Sequence, residues 1–177
     1  MILKSIFGRN PSQDAARALY EAAVAQARRP EFYLHCGLPD SLDGRFEMIC
    51  LHSYLVLRRL GGLGPEGEAL GQAFVDHLAR DLDRSLREMG AGDLGVGKRV
   101  RRMAEALRGR IAAYDQGLAG AEGALEAALR RNAYGTTEPA AEQVSRLAAY
   151  LRREAGTPSA SEILAGSTAF GPPPEAL

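Results

Sequence analysis

A glycine-rich stretch from Gly90 to Lys98 is the part of the sequence that most resembles a chemical site. Its glycines fit the GxGxxG pattern of dinucleotide-binding loops from Gly90 and the GxxxxGK pattern of phosphate loops from Gly92. Both patterns require a strand before the glycines, whereas a charged amphipathic helix precedes this stretch, and Arg99 stands where a magnesium-binding Ser or Thr belongs. The sequence therefore predicts an interhelical elbow and not a nucleotide loop, with Gly90 ending one helix and Asp93 capping the next.

Three histidines and two cysteines are the other candidates for catalysis or metal binding. The histidines are His35, His52 and His77, and the cysteines are Cys36 and Cys50. None of them has the spacing of a zinc site, and the cysteines lie in apolar surroundings typical of buried thiols in a reduced protein. His77 and Asp81 are four residues apart, so we expect them to face each other as a structural pair. The types and spacing of these residues therefore predict no metal site, no cofactor site and no catalytic site.

Basic residues flank the elbow on both sides. They are Lys98, Arg99, Arg101 and Arg102 after the glycines and Arg80, Arg84 and Arg87 before them. Acidic neighbours such as Asp81, Asp83 and Glu88 dilute this charge, so a solvated, salt-bridged helix face is the simplest interpretation. A site for RNA or lipid headgroups is the alternative. A mixed, Arg-rich face also suits protein recognition, where arginine is enriched.

Apolar residues recur at helical spacing along most of the chain. We expect helices from about Ser12 to Arg29, from Asp40 or Ser41 to Leu60, from about Pro65 to Met89 and from about Val96 onward. The second of these is apolar on nearly all sides between residues 48 and 57, which indicates the centre of the fold. The third and fourth carry matching apolar stripes and are predicted to pair as a helical hairpin.

Shorter helices are expected around this framework. Residues 31–36 form a helical turn or an extended link, Leu125 and Leu129 mark a helix before Gly135, and Val144 to Leu151 mark another. Ser159 and Glu162 have the spacing of a capping box for a last short helix. The predicted fold is therefore an all-α, single-domain helical bundle of about six or seven helices with a long central hairpin.

Composition and charge agree with that fold class. Of 177 residues, 46% are hydrophobic and none is Trp, while Lys plus Arg equals Asp plus Glu at 22 each, so no overall charge attracts DNA. No run approaches the roughly 20 apolar residues that span a bilayer, although Ile2, Leu3, Ile6 and Phe7 suit peripheral membrane contact. The expected divisions are an N-terminal tail over 1–11, a helical domain over 12–165 and a mobile, Pro-rich tail over 166–177.

Two long segments resemble the ubiquinol-cytochrome c chaperone family, the assembly factors of respiratory complex III. Residues 81–110 read DLDRSLREMGAGDLGVGKRVRRMAEALRGR, which resembles the family pattern DMDxxLREMGVGDLxVGKxMKxMAEAFYGR. Between Gly37 and Leu60 the sequence PDSLDGRFEMICLHSYLVLRRL resembles PDTxxGRFEMLxLHxxLVxxRL. The departures include Leu107 and Arg108, which replace two aromatic residues. Together the two segments cover about a third of the chain.

The resemblance implies a non-enzymatic chaperone that binds newly made cytochrome b, in the cytoplasm or at the inner face of the cytoplasmic membrane. It further implies contact with a small partner protein or the ribosome. The expected partner surface lies on the predicted hairpin and the region around Phe46, and it comprises Gly44, Arg45, Phe46, Asp81, Asp83, Arg84, Arg87, Met89, Gly90, Asp93, Gly97, Lys98, Arg99, Arg102 and Tyr114. Two alternatives remain open from the residues: a ribosome- or RNA-binding module, and a helical enzyme with a pocket around His52, His77, Asp81 and Tyr114.

Overall fold

A computed structural model describes residues 11–88, 93–135, 137–156 and 159–175, with the backbone alone for residues 86 and 93–100. Within these ranges the chain forms eight helices and no strand. They are α1 (Pro11–Ala27), α2 (Pro30–Cys36), α3 (Leu42–Gly61), α4 (Gly64–Glu88), α5 (Asp93–Ala119), α6 (Ala124–Asn132), α7 (Ala141–Glu154) and α8 (Ala160–Leu164). The all-α prediction is confirmed, and the extra helix is α2, where the sequence left a helical turn or a link open.

Local signals set several helix ends as the sequence predicts. The Ser41 hydroxyl accepts a hydrogen bond from the Gly44 backbone N–H at 3.1 Å and caps α3. Ser159 caps α8, and the Glu162 carboxylate accepts from the Ser159 N–H at 2.9 Å, which completes the capping box. Gly37, which the sequence did not single out as a helix end, terminates α2 in the left-handed conformation with φ of 68°.

The elbow is shorter than the sequence predicts. Helix α5 begins at Asp93 and not near Val96, so Gly95 and Gly97 lie inside a helix of 27 residues. Each glycine costs a helix about 1 kcal/mol relative to alanine. Packing of α5 on α3, α4 and α6 outweighs that cost. The prediction of an elbow over 90–98 is therefore wrong from residue 93 onward, and residues 89–92 lie outside the described chain.

Helix α3 lies at the centre of the fold, as its apolar character predicts. On one side Met48, Leu51 and Tyr54 belong to a cluster with α2, α5, α6 and α7. On the other side Cys50 and Val56 belong to a second cluster with α1, α4, α5 and α8. Because α3 supplies core residues to both clusters, it joins them into one domain.

The C-terminal segment after α8 packs against this domain in its described part. The Phe170 ring centroid lies 5.1 Å from that of His52, and the Gly171 N–H donates to the Glu154 carboxylate at 2.9 Å. Gln26 donates to the Gly171 carbonyl at 2.9 Å. These contacts place residues 170 and 171 against α1, α3 and α7, while the mobility expected of the tail stays a prediction.

Candidate partner-binding site

An apolar groove of about 240 Å³ opens where α3, α4 and α5 meet. We call it the hairpin groove. Its apolar lining consists of Phe46, Cys50, Leu57, Val75, Leu78, Ala79, Leu82, Met103, Ala104, Leu107 and Ile111, with Gln72 and Arg108 as its polar members.

The groove exists because the stripes of the hairpin are only partly covered. Leu78 on α4 and Leu107 on α5 are each 4% exposed and form its floor. Leu82 and Met103 are half-buried, so apolar surface remains open toward solvent. Phe46 supplies the wall from α3. The arrangement offers an apolar pocket for side chains of another molecule.

An ion pair between Glu47 on α3 and Arg110 on α5 fixes the wall of the groove. The two side chains are 13% and 17% exposed, and the guanidinium donates two hydrogen bonds to the carboxylate. Arg110 also donates to the Ala106 carbonyl at 3.0 Å and lies 6.0 Å from the centroid of the Phe46 ring. Hydrogen bonding to Glu47 raises the pKa of Arg110. Sequence reasoning missed this pair, although both residues lie within the two matched segments.

Residues 44–46 take three different roles. Gly44 is buried, and a Cβ atom on it would lie 1.9 Å from the Pro39 carbonyl oxygen, so its role is close packing and not partner contact. Arg45 is exposed and forms an ion pair with Asp40 at 2.6 Å. Phe46 lines the groove. Of these three predicted partner residues, Arg45 and Phe46 can reach another molecule.

Tyr114 corrects the predicted surface in the same way. It is fully buried, and its ring centroid lies 5.4 Å from that of Tyr54 in the first cluster. Its apolar neighbours at helical spacing predict this burial, because they belong to the same inward stripe. Tyr114 therefore stabilises the core and does not face a partner.

The predicted residues of α4 do not share one surface. Asp81 and Arg84 line a cleft against α1, on a different face of α4 from Leu78 and Leu82. Asp83 accepts from Arg87 at 2.7 Å, one helical turn along. The single surface expected from the sequence is thus divided between two sides of α4.

The elbow residues are described less fully. Arg102 is exposed on α5, and Asp93, Gly97, Lys98 and Arg99 have helical backbones. The side chains of Asp93, Lys98 and Arg99 lie outside the described part of the chain, as do Met89 and Gly90 as a whole.

The pocket proposed for a helical enzyme does not form. His52 is fully buried beside Tyr150 in the first cluster, whereas His77 and Asp81 line the cleft between α1 and α4. Asp81 accepts its hydrogen bonds from Tyr20 and Arg84, so the predicted pairing with His77 is also wrong. Helix α1 brings Tyr20 within 2.7 Å of the carboxylate, a long-range contact that helical spacing does not reveal.

Both cysteines are buried and free, as predicted. Burial raises the pKa of Cys36 to about 11 and that of Cys50 to about 12. A thiol with so high a pKa is protonated near neutral pH and is a weak nucleophile or metal ligand. In the described ranges no group of three or more His, Cys, Asp or Glu residues converges to hold a metal ion. The searched part of the chain also has no helix long and apolar enough to cross a membrane.

Residues 34–165 match the family model described as ubiquinol-cytochrome C chaperone. The chain belongs to this family. All residues that line the hairpin groove fall inside the matched range, as do both segments that carry the resemblance in the sequence.

Members of the chaperone family in animals are similar over most of this chain. Ubiquinol-cytochrome-c reductase complex assembly factor 1 of Xenopus laevis is 27% identical over 140 residues, which are 79% of this chain and 70% of that protein. The mouse protein of this name is 26% identical over the same share of this chain. The match spans 48% of the mouse protein, so this chain corresponds to about half of it.

The crystal structure of the Cbp3 homolog from Brucella abortus has a similar fold. It is 36% identical to this chain, with a TM-score of 0.79, and the match covers 92% of this chain and 91% of that one. The helical domain described above is therefore a fold of the chaperone family, and the hairpin groove is a feature of its matched part.

Proposed function

We propose that this protein is a non-enzymatic assembly chaperone that binds newly made cytochrome b and promotes assembly of the ubiquinol-cytochrome c reductase complex. The observation that carries the proposal is the hairpin groove. Most of its lining residues come from the two segments that resemble the family, and family membership supplies the class of function.

The size and lining of the groove favour a protein client. At about 240 Å³ it is smaller than the roughly 300–1,000 Å³ of sites that enclose small ligands. Its aliphatic, Phe and Met side chains suit insertion of one or two apolar side chains from a helix. A newly made membrane protein exposes such apolar helix faces before it is assembled. The groove thus offers a place where an apolar part of the client is held.

Complementation of a deletion strain tests this proposal. Removing the gene should lower cytochrome b levels and complex III activity, and the wild-type gene should restore both. Ala79→Lys places a long charged side chain in the groove and should fail to restore them. Ala149→Lys makes the same change on the exposed face of α7 and should complement fully.

The outcomes separate the function from the site. Normal cytochrome b and complex III activity in the deletion strain would contradict the function. Full complementation by Ala79→Lys would retain the function and reject the groove as the client site. Circular dichroism of the purified variants checks that both remain helical.

We further propose that the protein works in the cytoplasm, peripherally at the inner face of the cytoplasmic membrane, because its client is a membrane protein. We also propose that the protein contacts a small partner protein or the ribosome. Direct ribosome contact predicts co-sedimentation that weakens steeply as salt is raised, whereas binding through the groove changes little with salt. Fractionation of the full-length protein at low and high salt distinguishes these contacts.

A further inference from the structure

A second cavity, of about 540 Å³, lies between α1 and α4. We call it the arginine cleft. Its lining residues are Arg17, Tyr20, Glu21, Val24, Ala25 and Arg28 from α1 and His77, Arg80, Asp81 and Arg84 from α4. It occupies a different face of α4 from the hairpin groove, and its α1 wall precedes the range matched by the family model.

Positive charge exceeds negative charge in the cleft. Four arginines face two carboxylates, Glu21 and Asp81. Asp81 is already engaged by the Tyr20 hydroxyl at 2.7 Å and by Arg84. Glu21 is 66% exposed and lies 3.9 Å from Arg17, a distance and exposure at which an ion pair contributes little. Arg17 also lies 3.7 Å from Asp14. The uncompensated basic charge of the cleft therefore belongs to its two remaining arginines.

Arg28 and Arg80 carry this excess from opposite walls. Both are exposed, and in the described part of the chain neither side chain has a carboxylate within ion-pair distance. Two guanidinium groups on the two walls of one cleft provide planar donors suited to an oxyanion. A single exposed arginine on a flat helix face has no second guanidinium opposite it and therefore cannot hold an oxyanion from two sides.

His77 supplies an independent observation. Its Nε2 atom is buried and has no hydrogen-bond partner among the described residues. A buried polar atom without a partner is costly, and a bound ion or water is one of the explanations for such atoms in native proteins. His77 lines the same cleft as the two arginines, so its unpartnered ring lies beside the place where an oxyanion would be held.

We propose that the arginine cleft binds a phosphate group, carried either by an anionic phospholipid headgroup or by a soluble phosphate compound. The volume of about 540 Å³ lies within the roughly 300–1,000 Å³ range of ligand sites. The two arginines without a carboxylate partner, Arg28 and Arg80, match the charge of inorganic phosphate or a phosphate monoester, about −1.5 to −2 at neutral pH. They also suffice for the single negative charge of a phosphodiester headgroup. This inference does not depend on the proposed chaperone function.

The test uses two-dimensional NMR of the full-length protein titrated with inorganic phosphate at constant ionic strength. Binding should shift the signals of Tyr20, Arg80 and the His77 imidazole. Loss of both cleft arginines in Arg28→Gln/Arg80→Gln should weaken binding by about ten-fold or more, as expected for charged hydrogen bonds. The control Arg130→Gln/Arg131→Gln removes the same charge from exposed arginines of α6 and should change affinity by less than about two-fold.

Vesicle flotation distinguishes the two sources of phosphate. Vesicles of phosphatidylcholine with phosphatidylglycerol, compared with phosphatidylcholine alone, report the headgroup, while the phosphate titration reports the soluble anion. Dependence of either binding event on Arg28 and Arg80 supports the proposal. It would be overturned by the absence of cleft-dependent binding in both assays, or by equal losses in the two double variants, which indicate diffuse attraction.

Discussion

His52 shows how burial determines the chemistry of a single residue. Its Nδ1 atom lies 2.8 Å from the Met48 carbonyl oxygen and its Nε2 atom lies 2.9 Å from the Tyr150 hydroxyl. A carbonyl oxygen only accepts, so Nδ1 carries the proton and Nε2 accepts from Tyr150. Burial lowers the pKa of His52 to about 4. The residue is therefore a neutral structural group in the core.

The lowered pKa of His52 predicts a pH dependence of stability. Between pH 6.5 and about 4 the unfolded chain binds a proton at His52 that the folded chain does not bind. The free energy of unfolding should therefore fall as the pH falls through this window, by roughly 3 kcal/mol in total. Urea unfolding measured at several pH values checks this. His52→Gln should flatten the dependence, whereas Leu129→Ala, which destabilises the same cluster, should keep it.

Gly44 is the residue where one methyl group should matter most. Gly44→Ala places a Cβ atom 1.9 Å from the backbone oxygen of Pro39, so the start of α3 must shift. We expect a loss of about 1–3 kcal/mol in the free energy of unfolding. Gly61→Ala is the matched control, because nothing lies within 4 Å of its Cβ position. Equal denaturant midpoints for the two variants would contradict this explanation.

At the scale of elements, polar contacts fix α5 against α3. The Glu47–Arg110 pair lies beside the hairpin groove. Farther along both helices, the Tyr54 hydroxyl donates to Asp115 at 2.8 Å, and Arg58 pairs with the same carboxylate. Directional contacts at two points along the helices set the register of α5, which apolar packing alone constrains less.

A double-mutant cycle should show that the Glu47–Arg110 pair couples the two helices. Because both side chains are largely buried, we expect a coupling energy of about 1–3 kcal/mol between Glu47→Ala and Arg110→Ala. The cycle of Asp40→Ala and Arg45→Ala at an exposed pair should give a much smaller coupling, because solvent screens that pair. Denaturant unfolding supplies both energies. Similar coupling energies at the two pairs would show that burial does not determine how strongly the two side chains of a pair interact.

At the scale of the whole molecule, α3 connects the two clusters of the core. Leu129 belongs to the first cluster and Leu70 to the second, and both are buried. Neither cluster is complete without residues of α3. The unfolding of one cluster therefore exposes apolar surface that belongs to the other.

This shared helix predicts a single cooperative unfolding transition. Leu129→Ala and Leu70→Ala should each lower the free energy of unfolding by about 2–5 kcal/mol and move the same transition. Far-UV circular dichroism and methyl NMR signals from both clusters should give coincident curves. Two transitions, each shifted by only one of the variants, would show that the clusters unfold independently.

Sequence by itself determined the helical class, the order of the helices and the central place of α3. These follow from local properties: apolar spacing, the Ser41 and Ser159 caps, and glycines at helix ends. The sequence also identified the chaperone family, because the two segments that match the family pattern are long and contiguous. Arg45 is exposed and Phe46 lines the hairpin groove, while contact of either residue with a partner stays a prediction.

Only the tertiary structure decided which residues meet. It buried Tyr114 and Gly44, started α5 at Asp93, and placed Asp81 in a cleft with Tyr20 and not beside His77. It also opened the hairpin groove and paired Glu47 with Arg110 across 63 positions of the chain. Helical spacing predicts which side chains share a face. Which neighbour covers that face depends on the packing of distant helices, and no local pattern records it.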